Sequence, residues 1–297
     1  MKKYFMGLKW NGENQLLMHL KDCFDGSDEY ISIPKFFDVK KINSKKCIGA
    51  INPYTMEYFS CNNTVVEDQT QCYKCMHLFD FYKCIRCHGE NCIAKNRDVI
   101  NYCNTSHYVY LAYFSKEKIK VGTASEIRKY DRLVEQGAIF SIFIAKTPNG
   151  KIARQIEKSI IDNGIAGVVT TVFKMKNILL DNSAEEIRKL LLGKYQEIIG
   201  YVDDENVKYL IEPEFNHFDM IRQHIEESML SNTEQIDLFS SKINTIRKFN
   251  ISNDYDFIEG KFLFAVGKII ALENNGRVEL YDSKKLEGFL LDFANLE

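Results

Sequence analysis

The chain has 297 residues, of which 45% are hydrophobic, and this length exceeds that of an ordinary single domain. Its formal net charge of -2 argues against binding polyanions through overall charge, and no stretch approaches the roughly 18 apolar residues of a membrane-spanning helix. We therefore expect several domains and no membrane partner. Because no apolar signal core follows the N-terminus, we also expect a cytoplasmic location.

The charge is distributed unevenly along the chain. Residues 107–160 contain ten Lys and Arg against five Asp and Glu, whereas residues 181–231 contain five against twelve. A surface that faces phosphate is therefore expected in the middle of the chain, followed by an acidic region.

The first segment, residues 1–46, is predicted to be a small β unit. Short apolar stretches alternate here with turn-forming pairs such as Asn11-Gly12 and Asp25-Gly26. This alternation is typical of short antiparallel strands.

The second segment, residues 47–106, is predicted to be a zinc-binding module. Apolar residues show no regular period in this segment. Eight of the nine cysteines of the chain lie in it. A bound metal rather than a hydrophobic core must therefore organise the backbone. In a reducing compartment, cysteines of this density indicate metal ligands more often than disulfides.

The cysteine spacing includes two Cys-x-x-Cys pairs, each able to occupy two corners of a tetrahedron. The simplest division gives two structural zinc sites. The first cysteine set is Cys47, Cys61, Cys72 and Cys75, and the second cysteine set is Cys84, Cys87, Cys92 and Cys103. The alternatives are crossed pairing, replacement of a thiol by His77 or His88, an iron–sulfur cluster, or free thiols without metal.

The third segment, residues 107–181, is predicted to follow the order β-β-α-β-α. An aromatic strand over 107–114 and a strand over 119–122 form a hairpin. Periodicity and turn signals then predict, in order, a helix over 125–136, a strand over 138–146 and a helix over 151–162.

The fourth segment, residues 182–297, is predicted to contain helices and then strands. Helices are expected over 184–199 and 218–230, within a mainly helical stretch that ends at residue 248. Residues 254–297 return to short strands interrupted by glycines. The four segments together predict an α+β protein.

The motifs of the third segment resemble the core of GIY-YIG nucleases. The matching residues are Tyr108-Val109-Tyr110, Lys120-Val121-Gly122, Arg132 and Glu157. Most of the chain is also similar to a bacterial family of unknown function, number 2797. That similarity includes Lys46-Cys-Ile-Gly49, Gln71-Cys-x-x-Cys75 and Gly260-Lys-Phe-Leu-Phe-Ala-Val-Gly267.

The nuclease resemblance implies phosphodiester hydrolysis in DNA or RNA with Mg²⁺ or Mn²⁺. By this resemblance, Tyr110 is the base that activates water, Arg132 holds the phosphate and Glu157 binds the catalytic metal ion. Lys120 stands where the family has its second tyrosine and can contact phosphate as a point charge. Gly122 lies where a side chain would crowd the substrate. Further candidate substrate contacts are Tyr108, His107 and Arg154.

Three functions are consistent with these residues. The first is a metal-dependent nuclease that docks nucleic acid through zinc modules. The second is a nucleic-acid-binding protein without the chemistry, favoured by Lys120 and by the lack of a clear counterpart of the family's terminal asparagine. The third is a zinc-stabilised interaction scaffold, favoured by the acidic stretch 181–231. The sequence has no GxxxxGK[ST] loop, so no nucleotide cofactor is expected.

Overall fold

A computed structural model of the chain describes residues 1–10, 15–115, 118–178, 183–217, 225 and 249–294. The described residues form two compact units. The first unit contains those of 1–44 and 218–297, and the second unit contains those of 45–217.

Strands and helices both contribute to the fold, so the predicted α+β class is confirmed. The described strands are β1 Lys2–Trp10, β2 Leu16–Asp22, β3 Asp28–Ser32, β4 Phe36–Lys45, β5 Ala50–Ile51, β6 Tyr58–Phe59, β7 His107–Ser115, β8 Lys118–Ser125, β9 Phe140–Thr147, β10 Leu210–His217, β11 Phe249–Ile251, β12 Phe257–Val266, β13 Ile269–Asn274, β14 Arg277–Asp282 and β15 Phe289–Phe293. The described α-helices are α1 Tyr73–His77, α2 Arg97–Cys103, α3 Lys129–Glu135, α4 Gly150–Asp162, α5 Thr171–Lys176, α6 Ala184–Ile199 and α7 Asp204–Val207. None of the helices in the described ranges has the length and apolar composition needed to cross a bilayer.

The first unit is built on one mixed sheet. Within the described residues its strand order is β11-β14-β13-β12-β4-β15-β1-β2-β3. The last strand, β15, lies between β4 and β1 and pairs with β1 in antiparallel register, with Lys3 opposite Leu291. Phe5, Leu20 and Phe293 are among the buried side chains of its core. This sheet joins the two ends of the chain, whereas the sequence analysis placed them in separate segments.

The second unit contains the sheet β10-β9-β7-β8. The order β-β-α-β-α expected from the sequence is observed here as β7, β8, α3, β9 and α4. Helix α4 packs against β7 and β8 and buries Ala153, Ile156 and Ile160. The side chain of Asn149 caps this helix by accepting a hydrogen bond from the amide of Ile152 at 3.0 Å. The resulting α4–sheet layer positions the candidate site.

Strand β10 corrects the expectation of a mainly helical stretch from residue 182 to residue 248. The strand pairs with β9 in antiparallel register and lies at an edge of the described sheet. Pro213 lies within it, and proline is unfavourable inside a helix but tolerated in an edge strand. Pairing with β9 therefore outweighs the local helical pattern.

The two helices expected in the fourth segment have different outcomes. The helix over 184–199 is observed as α6, and Ser183 with Glu186 forms a capping box at its start. The helix expected over 218–230 lies outside the described residues, apart from residue 225.

Candidate functional site

The first cysteine set comes together in the second unit. The Sγ atoms of Cys47, Cys61, Cys72 and Cys75 all lie within 4.8 Å of one another. Four thiols at this separation can surround a tetrahedral divalent ion such as zinc, with no position left open for water. The cluster could therefore hold a metal ion in a structural rather than a catalytic role.

Two backbone amides donate to the Cys47 thiol and oppose the burial that raises its pKa. The amides of Gly49 and Cys72 lie 3.4 and 3.2 Å from Cys47 Sγ and donate to it. Gly49 has a φ of 76°, and a Cβ there would lie 2.3 Å from the carbonyl oxygen of Phe59. Glycine is therefore required at this turn.

Cys72 is the thiol of this cluster with the clearest tendency to ionise. Burial raises the pKa of Cys72, but hydrogen bonds from the side chain of Asn63 and the amide of Cys75 outweigh burial and lower the pKa to about 6. A thiol that is deprotonated near neutral pH is ready to act as a metal ligand.

The second cysteine set is gathered less tightly than the first. All four of its thiols line one cavity of about 170 Å³, which we call the cysteine cavity. Among the described residues, however, the first set is the group whose ligand atoms lie within 4.8 Å of one another. A second zinc site stays a prediction, and so does the number of two zinc ions.

The histidines named as alternative ligands lie apart from the first set. His77 Nδ1 is 3.5 Å from a carboxylate oxygen of Asp80, and its ring packs against those of Tyr73 and Tyr82. His88 lines a cavity of about 200 Å³ with Cys84, Cys87 and Cys92, so its role as an alternative ligand of the second set stays a prediction. It also lines a different cavity, together with Glu157.

That different cavity, which we call the basic cavity, collects residues of the nuclease-like motif. It has a volume of about 300 Å³, and its lining includes Tyr110, Lys120, Gly122, Arg132, Arg154 and Glu157. These residues come from β7, β8, α3 and α4. The fold of the second unit therefore brings together side chains that are widely separated in the sequence.

Tyr110 and Gly122 are opposite each other in the β7–β8 hairpin. A Cβ on Gly122 would lie 2.4 Å from the Tyr110 hydroxyl oxygen, so the missing side chain makes room for the phenol rather than for substrate alone. Tyr110 is only 1% exposed. Burial raises the pKa of its hydroxyl to about 12, although the charge of Arg132 opposes this shift.

Two half-buried lysines meet at Gln136 beside this tyrosine. Lys120 donates to the side-chain oxygen of Gln136, and Lys174 Nζ donates to the backbone oxygen of Gln136 at 2.7 Å. Burial and then the charge of Arg132 lower the pKa of Lys120 to about 8, whereas Glu157 opposes the shift. Burial, together with the charges of Lys120 and Arg132, lowers the pKa of Lys174 to about 7.

Lys174 was not identified from the sequence. It lies on the short helix α5, in a stretch with no motif, and only the fold brings it within reach of Gln136. Its Nζ also lies 4.1 Å from the centre of the Phe114 ring, a cation–π contact. A local excess of lysines was the one signal available in the sequence.

Glu157 is the carboxylate of the basic cavity. It projects from α4 between the buried Ile156 and Ile160 and is itself half-buried. Burial raises its pKa, and the charges of Arg154, Lys120, Arg132 and His88 act in the opposite direction. The cavity thus contains one carboxylate surrounded by cationic side chains.

Two predicted substrate contacts lie away from this cavity. The buried Tyr108 packs against Phe143, with 5.1 Å between ring centroids. Lys129 Nζ lies 4.6 Å from the centre of the Tyr108 ring. His107 lines the cysteine cavity. Neither residue is part of the lining of the basic cavity.

Comparison with known protein families places most of the chain in one of them. The family model described as "Protein of unknown function (DUF2797)" matches residues 37–288. No curated protein and no solved structure matches the chain.

Proposed function

Because the chain belongs to the DUF2797 family of proteins of unknown function, we propose a function from the basic cavity itself. The function is metal-dependent hydrolysis of a phosphodiester bond in DNA or RNA. The observation that carries the proposal is the meeting of Tyr110, Lys120, Arg132 and Glu157 in one cavity. A cationic cavity with one carboxylate has groups able to stabilise phosphate charge and to contribute a metal ligand.

Arg132 and Arg154 are proposed to bind the phosphate. Both guanidinium groups line the cavity, and a guanidinium can contact two phosphate oxygens at once. Protonated Lys120 adds a further positive charge next to them. These cations also favour the transition state, in which negative charge on the phosphate oxygens increases.

Glu157 is proposed to hold Mg²⁺ or Mn²⁺. A magnesium ion in a phosphoryl-transfer site is commonly bound by one or two carboxylates, phosphate oxygens of the substrate, and water. The cations around Glu157 repel a metal ion that binds without the substrate. The metal ion is therefore expected to bind together with the phosphate, which supplies the remaining negative charge. When bound, the ion would polarise the phosphate and activate water.

Lys120 is proposed to accept the proton, with Tyr110 in a supporting role. A phenol whose pKa is raised to about 12 remains protonated near neutral pH and suits a hydrogen-bond donor that orients water. Lys120, whose pKa is lowered to about 8, is partly neutral under the same conditions. This proposal changes the role that the family resemblance implied for Tyr110.

Nucleic-acid binding without cleavage is the second candidate function. The near-complete burial of Tyr110 and the presence of Lys120 in place of a second tyrosine favour it. In this case Arg132, Arg154 and the lysines would bind phosphate, and Glu157 would balance their charge.

The test is cleavage of single- and double-stranded DNA and RNA with Mg²⁺ or Mn²⁺, with binding measured in parallel. Glu157→Gln should abolish cleavage and leave binding largely intact. Asp162→Asn is the matched control, because Asp162 is an exposed carboxylate at the end of the same helix. Full cleavage by Glu157→Gln would contradict the proposed site.

The other outcomes separate the remaining functions. Salt-sensitive binding by the wild type without cleavage would support the binding protein. No binding of any nucleic acid at low salt would contradict both candidates and leave the interaction scaffold.

A further inference from the structure

The cysteine cavity contains a buried histidine that the cysteine spacing does not reveal. His107 is 2% exposed, and its Nδ1 lies 2.8 Å from the carbonyl oxygen of Thr105. A carbonyl can only accept, so this hydrogen bond places the ring proton on Nδ1 and leaves a lone pair on Nε2. Nε2 is buried and has no hydrogen-bond partner among the described residues.

An imidazole with a proton on Nδ1 and an unpaired, buried Nε2 is arranged as a metal ligand. A buried polar atom without a partner is costly, and a bound metal ion would satisfy Nε2. Histidine ligands commonly donate their second ring nitrogen to a carbonyl or carboxylate, as Nδ1 does here. His107 lines the cavity together with the thiols of the second cysteine set.

The turn after Cys87 repeats the turn after Cys47. The amide of Gly89 lies 3.4 Å from Cys87 Sγ, and the amide of Gly49 lies 3.4 Å from Cys47 Sγ. The two glycines have φ angles of 79° and 76°. Cys87 is therefore held in the same local conformation as a member of the cluster that could hold a metal ion.

The remaining cysteines of the second set differ in their surroundings. Cys84, Cys87 and Cys103 are half-buried, whereas Cys92 is exposed. Lys151, in the first turn of α4, lines the cavity together with Cys103. With His107 and the carboxylate of Glu90, the cavity lining has six possible donors, and a tetrahedral structural ion takes four. Cys92 and Glu90 are the two exposed donors, which leaves Cys84, Cys87, Cys103 and His107.

We propose that Cys84, Cys87, Cys103 and Nε2 of His107 bind a second divalent metal ion such as zinc. Cys92 is then not a ligand, which changes the set expected from spacing alone. This site does not depend on the proposed nuclease function, since it follows from the donors of the cysteine cavity.

The proposed site is connected to the helix that carries Glu157. Gly89 accepts a hydrogen bond from the side chain of Gln155 at 3.0 Å, and Arg154 contacts the carbonyl oxygen of Cys87 at 3.4 Å. Gln155 and Arg154 both belong to α4. A metal ion that holds the Cys84–Cys87 turn would therefore also hold that turn against α4.

The first test is elemental analysis of the full-length protein, purified without chelator. Wild type and Cys92→Ser should each contain about two zinc ions per chain, whereas His107→Gln and Cys103→Ser should contain about one. A fall to one ion in Cys92→Ser with two retained in His107→Gln would overturn the proposed ligand set. A single ion in the wild type would overturn the second site.

A measurement on the folded wild type avoids reliance on variants that fail to fold. The protein is loaded with ¹¹³Cd, and its resonances are examined for coupling to imidazole nitrogen. We expect one resonance of a four-thiolate site and one of a site with three thiolates and a coupled imidazole. Two resonances that both report four thiolates would overturn the role of His107.

Discussion

Charge and burial conflict at two lysines, Lys120 in the lining of the basic cavity and Lys174, which meets it at Gln136. Lys120 and Lys174 share Gln136 as an acceptor, yet burial and Arg132 lower both of their pKa values into the range of neutral pH. A lysine is charged below its pKa, so the positive charge next to the cavity, at Lys174, decreases as the pH rises through about 7, and that of Lys120 in the cavity decreases through about 8. Binding and catalysis should therefore respond to pH in opposite directions.

Nucleic-acid binding should weaken as the pH rises from 6 to 9. Phosphate binds the charged lysines, so binding above their pKa requires proton uptake, at a cost of up to about tenfold in Kd per pH unit for each proton. Fluorescence anisotropy at constant ionic strength measures this dependence. Lys120→Arg is the control: it keeps its charge and should flatten the upper part of the curve. A flat curve for the wild type would contradict this prediction.

Cleavage should instead become faster as the pH rises towards 8. In the proposed mechanism only neutral Lys120 accepts the proton, and removing a general base typically costs about 10²- to 10⁴-fold in rate. The cleavage rate of Lys120→Arg should therefore fall by about 10²- to 10⁴-fold, while its affinity for nucleic acid is retained. Single-turnover rates from pH 6 to 9 provide the test. A rate in Lys120→Arg equal to that of the wild type would exclude Lys120 as the base.

At the scale of elements, the first cysteine set connects several short elements, and the stability of each depends on the cluster where their thiols meet. Cys47 lies near β5, Cys61 follows β6, and Cys72 and Cys75 lie at the start of α1. These elements are short, and few buried apolar side chains surround the cluster. A bound metal ion would stabilise these elements, because so small a hydrophobic core cannot do so alone.

Replacing Cys72 by serine should therefore unfold or loosen the part of the second unit that surrounds the cluster. Hydrogen exchange should increase over residues 47–78, and chelator treatment of the wild type should have the same effect. Cys23→Ser is the matched control, because Cys23 lies outside both cysteine sets. A soluble Cys72→Ser protein with unchanged exchange would argue against a structural metal.

At the scale of the whole molecule, the first unit depends on pairing between the two ends of the chain. β15 lies inside the sheet, between β4 and β1, rather than at its edge. Phe293 near the C-terminus is 1% exposed and belongs to the same core as Phe5 and Leu20. The core of the N-terminal strands therefore includes side chains from β15.

Phe293→Ala should destabilise the first unit by about 3–5 kcal/mol, the usual cost of deleting a buried phenylalanine side chain. Urea unfolding, with hydrogen exchange to locate the change, measures the effect. Phe257→Ala is the control, because Phe257 is 64% exposed and should change the free energy of unfolding by less than about 1 kcal/mol. Equal effects of the two substitutions would contradict the assigned core.

Elements and ligand groups with local signals can be predicted from the amino-acid sequence. Alternating and helical periodicity predicted β7, β8, α3, β9 and α4, because these patterns reflect which faces of an element are buried. Spacing favoured the first cysteine set as the simplest division, with crossed pairing left open, because two thiols on one turn need two further ligands to complete a tetrahedral site. The family resemblance marked Arg132 and Glu157 as candidates that belong together.

Features that depend on residues distant in the sequence become visible only in the folded chain. Strand β10 forms by pairing with β9, and β15 enters a sheet whose other strands include β1. Lys174 reaches Gln136 only through the packing of α5 in the fold, and His107 acquires its role from the cysteine cavity. Long-range pairing and the burial of polar groups depend on which surfaces meet in three dimensions, and no local pattern of residues specifies that.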